Sequence, residues 1–447
     1  MDTETIVAVA SSSGRGGIGV VRLSGPDSAA IQAQICGRTI APRTAVYAVF
    51  REENGDAIDD GIALLFPAPG SYTGEEVAEL QGHGNPVLLE RLVARACELG
   101  ARSARPGEFT ERAYRNGRLD LAQAEAVADL INSATLRTAR AARRTMEGAF
   151  GTKLTSMIET LRAGHAMLEA SIDFGDDVAS EDLLDQQLTL QQRVVDELRA
   201  LLTVAQKGVR LHTGAVVVLA GAPNVGKSSL MNALTQIEHA IVTPHAGTTR
   251  DVLHCDLVIR GLPVRLLDTA GLREEADEIE REGIRRARQA LNTADLIIEV
   301  LDAQTLTESP QMTQVNSPEI TAETIRVFNK ADLLPKIPAD VLALPVPELW
   351  TSAVTGYGID ALAGAIAGKL GIAEEQPGDF MARARHVSAL KLALAELEQI
   401  SRPVCRDAPE LAAEHYRTAS KALETIVGRH STEDLLADVF SRFCIGK

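Results

Sequence analysis

Cysteine, aromatic side chains, positive charge and long apolar runs are all scarce in this chain, and each scarcity excludes something. Five cysteines, at positions 36, 97, 255, 405 and 444, are scattered over 447 residues without a CxxC pair. An odd, dispersed set fits a reducing compartment better than a disulfide framework. Nine Phe, five Tyr and one Trp, 3% of the residues, are too few for a base-stacking platform. Lys and Arg number 45 against 61 Asp and Glu, a net charge of −16. Non-specific coating of nucleic acid needs the opposite excess, because it works by neutralising phosphates; a local basic patch stays open. The longest apolar run, near Ala215 to Ala222, falls far short of the roughly 20 residues of a membrane span. The first apolar stretch, Ile6–Ala10, follows an acidic start, so no signal peptide is expected. These exclusions leave a soluble, cytoplasmic protein with no membrane association as the expectation.

What is present fits a chain of several folded domains. At about 150 residues per domain the length suggests three, and no fewer than two. With 45% hydrophobic residues, each can bury a core. The N-terminal stretch alternates strands and helices: Ile6–Ala10 and Val20–Leu23 flank a glycine-rich turn, Val46–Phe50 and Ile62–Phe66 flank Asn54-Gly55, and a helix covers Val87–Leu99. Residues 119–207 contain no proline and carry helical apolar spacing, with breaks near Gly148–Gly151 and Phe174-Gly175-Asp176. Three long helices are predicted there. From Ala215 to about Leu370 strands alternate with helices, later strands being Leu262–Leu267, Leu296–Leu301 and Ile325–Phe328; this is the rhythm of a doubly wound sheet. Helical composition returns at Ala382–Ile400 and Ala408–Val427. An α/β domain inserted into a helical one is the simplest organisation, two separate helical domains the alternative.

The chemistry is concentrated in the middle. Gly221-Ala222-Pro223-Asn224-Val225-Gly226-Lys227-Ser228 matches GxxxxGKS, follows a strand and, from Ser229, opens a helix. Glycines let backbone N–H groups turn toward phosphates, Lys227 adds a point charge, and the Ser228 hydroxyl suits Mg²⁺. Asp268-Thr269-Ala270-Gly271 ends a strand, where the aspartate can hold the Mg²⁺ shell and the glycine can meet the γ-phosphate. Asn329-Lys330-Ala331-Asp332 ends another; the Asp332 carboxylate can accept from the N1–H and 2-amino edge of guanine, which adenine lacks. Ser352-Ala353 is placed for the guanine O6, and Thr249 in Gly247-Thr248-Thr249 for a second Mg²⁺ bond. In this order, each at a strand end, the motifs specify a GTPase. Leu272 stands where many GTPases carry a water-orienting glutamine. Asn224 and the segment Thr243–Thr249 offer oxygens for a monovalent cation, and Glu274–Glu282 offers carboxylates for positioning water.

Runs outside these motifs carry a more specific resemblance. Gly14-Arg15-Gly16-Gly17-Ile18-Gly19, Tyr72-Thr73-Gly74-Glu75, Leu80-Gln81-Gly82-His83-Gly84, Ala104-Arg105-Pro106-Gly107-Glu108-Phe109, Leu119–Ala126 and the terminal Phe443-Cys444-Ile445-Gly446-Lys447 resemble the bacterial tRNA modification GTPase family MnmE, also called TrmE. The resemblance implies an α/β plus all-α fold: an N-terminal α/β domain (residues 1–117) that binds a tetrahydrofolate derivative (5-formyl- or methylene-tetrahydrofolate) and dimerises, a discontinuous helical domain (118–212 and 375–447), and an inserted P-loop GTPase domain (213–374). It implies a homodimer that works in a heterotetramer with the FAD-containing partner MnmG. The pair adds an aminomethyl-type group, commonly carboxymethylaminomethyl, at C5 of the wobble uridine of certain tRNAs, with potassium-dependent GTP hydrolysis. By motif match, K⁺ would be held by Asn224, Thr243, His245 and Thr248, and Mg²⁺ by Ser228 and Thr249. GTP would lie along Asn224–Ser229, Thr243-Pro244-His245-Ala246-Gly247-Thr248-Thr249, Asp268–Gly271, Asn329, Lys330, Asp332, Ser352 and Ala353. The catalytic glutamate maps to Glu280. Folate would meet Arg22, Glu79, Lys447 and Arg118, the last where a lysine is familiar; Glu79 suits the paired N–H donors of a pterin and the cations a glutamyl tail. Cys444 is the candidate nucleophile toward the pyrimidine. A ribosome-assembly or signalling GTPase is the competing reading.

Overall fold

The computed structural model describes residues 4–174, 178–237, 254–268, 294–304, 323–334, 348–371, 378–429 and 432–446. The chain forms two compact units: residues 1–128, 145–190 and 399–447, and residues 129–144 with 191–398. Each has its own six-stranded sheet and core.

In the first unit the strands are β1 (Ile6–Val9), β2 (Gly16–Ser24), β3 (Val46–Arg51), β4 (Ala57–Phe66), β5 (Val77–Gly84) and β6 (Arg102–Ser103). Their order is β3-β4-β5-β2-β1-β6. Neighbours are antiparallel except β1 and β6. The sheet has two unlike faces because side chains alternate along each strand. Val21, Leu23, Phe50, Ala78 and Leu80 are buried in the core with residues of α1 (Ser28–Cys36) and α2 (Pro86–Glu98). Arg22, Glu79 and Gln81 fall on the other face. Helix α2 begins where the Asn85 side chain accepts from the Val87 N–H at 3.1 Å, with Pro86 in the first turn. The strands predicted at Ile6, Val20, Val46 and Ile62 are all present; β5 and α1 were not anticipated.

Helix α3 (Glu108–Arg115) carries acidic residues in its first turn and basic ones in its last, the polarity that suits a helix dipole. Between residues 119 and 213 the structure corrects the expected three helices to four: α4 (Leu121–Asn132), α5 (Leu136–Met146), α6 (Ala149–Phe174) and α7 (Val178–Thr213). The extra break is made by a reciprocal cap. Thr135 Oγ1 accepts from the Thr138 N–H at 3.0 Å while Thr138 Oγ1 accepts from the Thr135 N–H at 3.1 Å. Asp120 and Gln123 close the start of α4 in the same way.

The second unit holds β7 (Ala215–Ala220), α8 (Lys227–Ile237), β8 (His254–Ile259), β9 (Leu262–Asp268), β10 (Leu296–Asp302), β11 (Glu323–Asn329), β12 (Glu348–Trp350) and α9 (Ile359–Lys369). The order β12-β11-β10-β7-β9-β8 is parallel throughout except for β8 against β9. Buried runs such as Val217-Val218-Leu219 and Leu296-Ile297-Ile298 show why these strands read as continuous apolar stretches. After α10 (Ala384–Gln399), the short α11 (Arg402–Asp407), α12 (Pro409–Val427) and α13 (Glu433–Ser441) return to the first unit. There Tyr416 of α12 is buried, its hydroxyl accepting from the Gln187 side chain of α7, and burial pushes the hydroxyl pKa up. No described helix is long and apolar enough to cross a membrane.

Candidate functional site

The ends of β7, β9, β11 and β12 bring the sequence motifs of the second unit together. The turn after β7 holds Asn224 at φ +64°, Gly226 at φ +94° and Gly221 at φ +150°, so backbone N–H groups from successive residues can face one concavity. Lys227, 4% exposed, donates from Nζ to the carbonyls of Gly221 and Ala222 at 3.1 and 2.9 Å. That puts the ammonium under the loop it must serve. Ser228 Oγ donates to Asp268 Oδ2 at 2.7 Å, and Asp268 is fully buried at the end of β9. A hydroxyl and a carboxylate in contact at a phosphate-binding loop are hard oxygen donors that fit Mg²⁺.

Asn329 ties the guanine motif to the phosphate loop. Its Nδ2 donates to the Val225 carbonyl at 3.0 Å, while its Oδ1 accepts from the Ala353 N–H at 3.2 Å. Gly226 permits this approach, because a Cβ there would lie 2.3 Å from Asn329 Nδ2. Lys330 follows at φ +65°, and a 3-10 turn over Ala331–Leu333 leaves Asp332 exposed. The Ser352 hydroxyl accepts from the Thr355 N–H at 3.1 Å, and Trp350 stacks on Phe328 at 4.8 Å between centroids. Val225 is buried and Ser229 exposed at the start of α8. Thr243, Pro244, His245, Ala246, Gly247, Thr248, Thr249, Thr269, Ala270, Gly271 and Glu280 lie outside the described residues.

A second constellation occupies the open face of the first unit's sheet. Arg22 and Glu79 are register partners on β2 and β5, joined by an Nε bond of 3.0 Å and an ion pair of 2.9 Å. Gln81 donates to the other Glu79 oxygen at 3.0 Å. The Arg22 guanidinium also lies 5.6 Å from the Tyr72 ring centre and 5.9 Å from that of Phe109, within cation–π range. Tyr72 is held through its hydroxyl by Thr110 at 2.8 Å; burial pushes its pKa up, against the opposing effects of Thr110 and Arg22. The stem of Arg118 packs over Gly74, and its guanidinium makes no ion pair among the described residues. Cys444 is exposed in a tail that runs past Gly107 and seats Gly446 against Val9. Val9 is next to Ala8, the register partner of Arg22. Lys447 lies outside the described residues. Sequence reasoning missed Tyr72, Phe109 and Gln81 as members of this group. Period-two alternation from Glu79 carried the signal for Gln81; nothing local singled out the two rings.

A family model described as the MnmE helical domain matches residues 121–444, and one described as the GTP-binding protein TrmE N-terminus matches residues 5–118. The chain is 46% identical over 449 residues to the "tRNA modification GTPase MnmE" of Methylococcus capsulatus, covering 100% of this chain and 99% of that one. It is 47% identical over 453 residues to the protein of the same name in Xanthomonas campestris pv. campestris, covering 99% of each. Among solved structures, the G domain of the T. maritima FeoB iron transporter matches 35% of this chain and 98% of its own at 28% identity, with a TM-score of 0.24.

Proposed function

The chain belongs to the MnmE (TrmE) family of tRNA modification GTPases, and on that premise we propose that its GTP hydrolysis serves modification of C5 of the wobble uridine in certain tRNAs. The observation that carries this reading is the joining of Ser228 to Asp268 and of Val225 to Asn329, in a chain related to MnmE proteins over its whole length. The group added is aminomethyl or carboxymethylaminomethyl, supplied together with an FAD-containing MnmG-type partner. The working state is a homodimer within a heterotetramer, in the cytoplasm. We assign residues 1–117 to folate binding and dimerisation, 118–212 and 375–447 to the helical domain, and 213–374 to the GTPase domain.

Within the nucleotide site, Asn224 to Ser229 wrap the phosphates, Asp332 reads the guanine edge, and Ser228 with Thr249 would hold Mg²⁺, which neutralises developing charge on the phosphates. Asn224, Thr243, His245 and Thr248 would hold K⁺. Leu272 has no hydrogen-bonding group to orient water, so that work falls to Glu280. The Arg22–Glu79 pair would receive the pterin of a tetrahydrofolate derivative, with Arg118 and Lys447 on its anionic tail. Cys444, exposed in the tail beside β1, is the candidate nucleophile.

Hydrolysis by the purified chain tests the reading. The rate should be many-fold higher in K⁺ than in Na⁺, and Glu280→Ala should lower kcat far more than nucleotide affinity. Equal rates in the two salts would remove the cation assignment; a glutamate variant of unchanged kcat would remove Glu280.

A further inference from the structure

The guanine motif contains a lysine whose placement requires explanation. Lys330 is not glycine, yet it holds φ +65°, a left-handed conformation that is strained for a side-chain-bearing residue and persists only where the surroundings impose it. Part of that imposition comes from the neighbouring strand. β10 and β11 run parallel with Asp302 opposite Asn329 at their ends, and the Ala303 N–H donates to the Asn329 carbonyl at 2.9 Å. This register sets the Asp302 carboxylate beside the residue after Asn329. Its Oδ2 meets Lys330 Nζ at 2.6 Å, and its Oδ1 accepts from the Gln304 N–H at 3.0 Å. With one oxygen anchored to its own backbone turn, the carboxylate offers the lysine a fixed target. Both partners are shielded, at 32% and 16% exposure, so the pair is less screened than a fully exposed one.

We infer that Asp302 is a positioning residue for guanine nucleotides: it holds the Lys330 side chain extended across the base site, so that the lysine stem forms one wall against the flat face of the ring. The assignment rests on the GTPase reading. It goes beyond that reading because no sequence motif singled out Asp302. Face packing and edge reading are separable. Asp332 recognises the N1–H and 2-amino edge, whereas a wall against the ring face is blind to the 2-amino group. Removing Asp302 therefore weakens GTP and inosine triphosphate alike, while Asp332→Asn changes which base is preferred.

The test is steady-state hydrolysis of GTP and inosine triphosphate by the full-length chain, wild type against Asp302→Ala, Asp302→Asn, Lys330→Ala and the double alanine variant. The expected outcome is a KM raised about tenfold for both nucleotides in Asp302→Ala, with kcat at saturation within about twofold. Asp302→Asn, which keeps an acceptor but no charge, should recover part of the loss. In the Lys330→Ala background the further change to Asp302→Ala should do nothing, since residues that act through one another are not additive. Unchanged KM in Asp302→Ala overturns the inference. So does an additive loss in the double variant, or a KM change that only follows a fall in the Tm of the nucleotide-free protein. A wild-type chain that hydrolyses neither nucleotide fails earlier, and sinks the GTPase reading itself.

Discussion

Single residues join the motifs of the second unit, Ser228 to Asp268 and Val225 to Asn329, and those motifs could be read because phosphate and guanine recognition demand particular side chains at fixed spacings. Gly226 shows the demand in its strictest form. Its φ of +94° and the 2.3 Å between a hypothetical Cβ and Asn329 Nδ2 leave room for no side chain. Gly226→Ala should strain the loop and push Asn329 off the Val225 carbonyl, lowering GDP affinity by roughly 5- to 150-fold, since left-handed strain alone is of order 1–3 kcal/mol; calorimetric titration with GDP checks this. Asp332→Asn should weaken GTP and favour xanthosine triphosphate, whose 2-oxo group needs a donor. Retained wild-type preference for GTP would remove Asp332 from the base edge. Asp302, Tyr72 and Phe109 were not legible. Their roles depend on which strand or loop lies alongside, and no local spacing records that.

Elements were legible where periodicity was strong and boundaries were marked. The apolar run of β7 and the Asn54-Gly55 turn announced themselves. The split between α4 and α5 did not, because its signal is a Thr135–Thr138 cap inside a stretch whose composition stays helical. β8 was missed for another reason: it is an antiparallel edge strand beside β9 that opens on His254-Cys255-Asp256, so its aliphatic residues are confined to its last three positions. Helix α3 supports a prediction of its own. Glu108 is 1% exposed, and although burial would raise its pKa, hydrogen bonds from Arg102, the Arg105 N–H and Arg112 overcome this and hold it down to about 2. A carboxyl depressed in the folded state stabilises it above the unfolded pKa and loses that contribution as pH falls through the folded value. The stabilisation should therefore be complete near neutrality and fade between about pH 5 and pH 2. Thermal melts across that range should show Glu108→Gln less stable than wild type at pH 7, with the gap closing toward pH 2. A gap independent of pH would mean that packing, not charge, makes Glu108 matter.

At the scale of the whole molecule, the two α/β segments and the helical segments that alternate with them along the chain were foreseeable from the change of composition at about Leu119, Ala215 and Pro377. The division of the helical segments between the two compact units was not, because α7 is one uninterrupted helix whose residues up to 190 belong to one unit and from 191 to the other. Periodicity reports that a segment is helical; it does not report what each turn packs against. The proposed chemistry has the same character, since the Arg22–Glu79 group and the Cys444 tail belong to one unit while the Lys227 loop belongs to the other. Cys444→Ser should accordingly leave GTP hydrolysis intact while abolishing uridine modification, and normal modified-nucleoside levels with that variant would leave any covalent step to the partner. The central claim, that hydrolysis at the Lys227 site serves tRNA modification, is tested most directly by mass spectrometry of wobble uridines from cells lacking this chain, complemented with wild type or with Lys227→Ala. The account predicts that C5-modified wobble uridine is lost without the chain, restored by wild type and not restored by Lys227→Ala. Unchanged modification in the cells lacking it, or full restoration by the lysine variant at equal protein level, would contradict it.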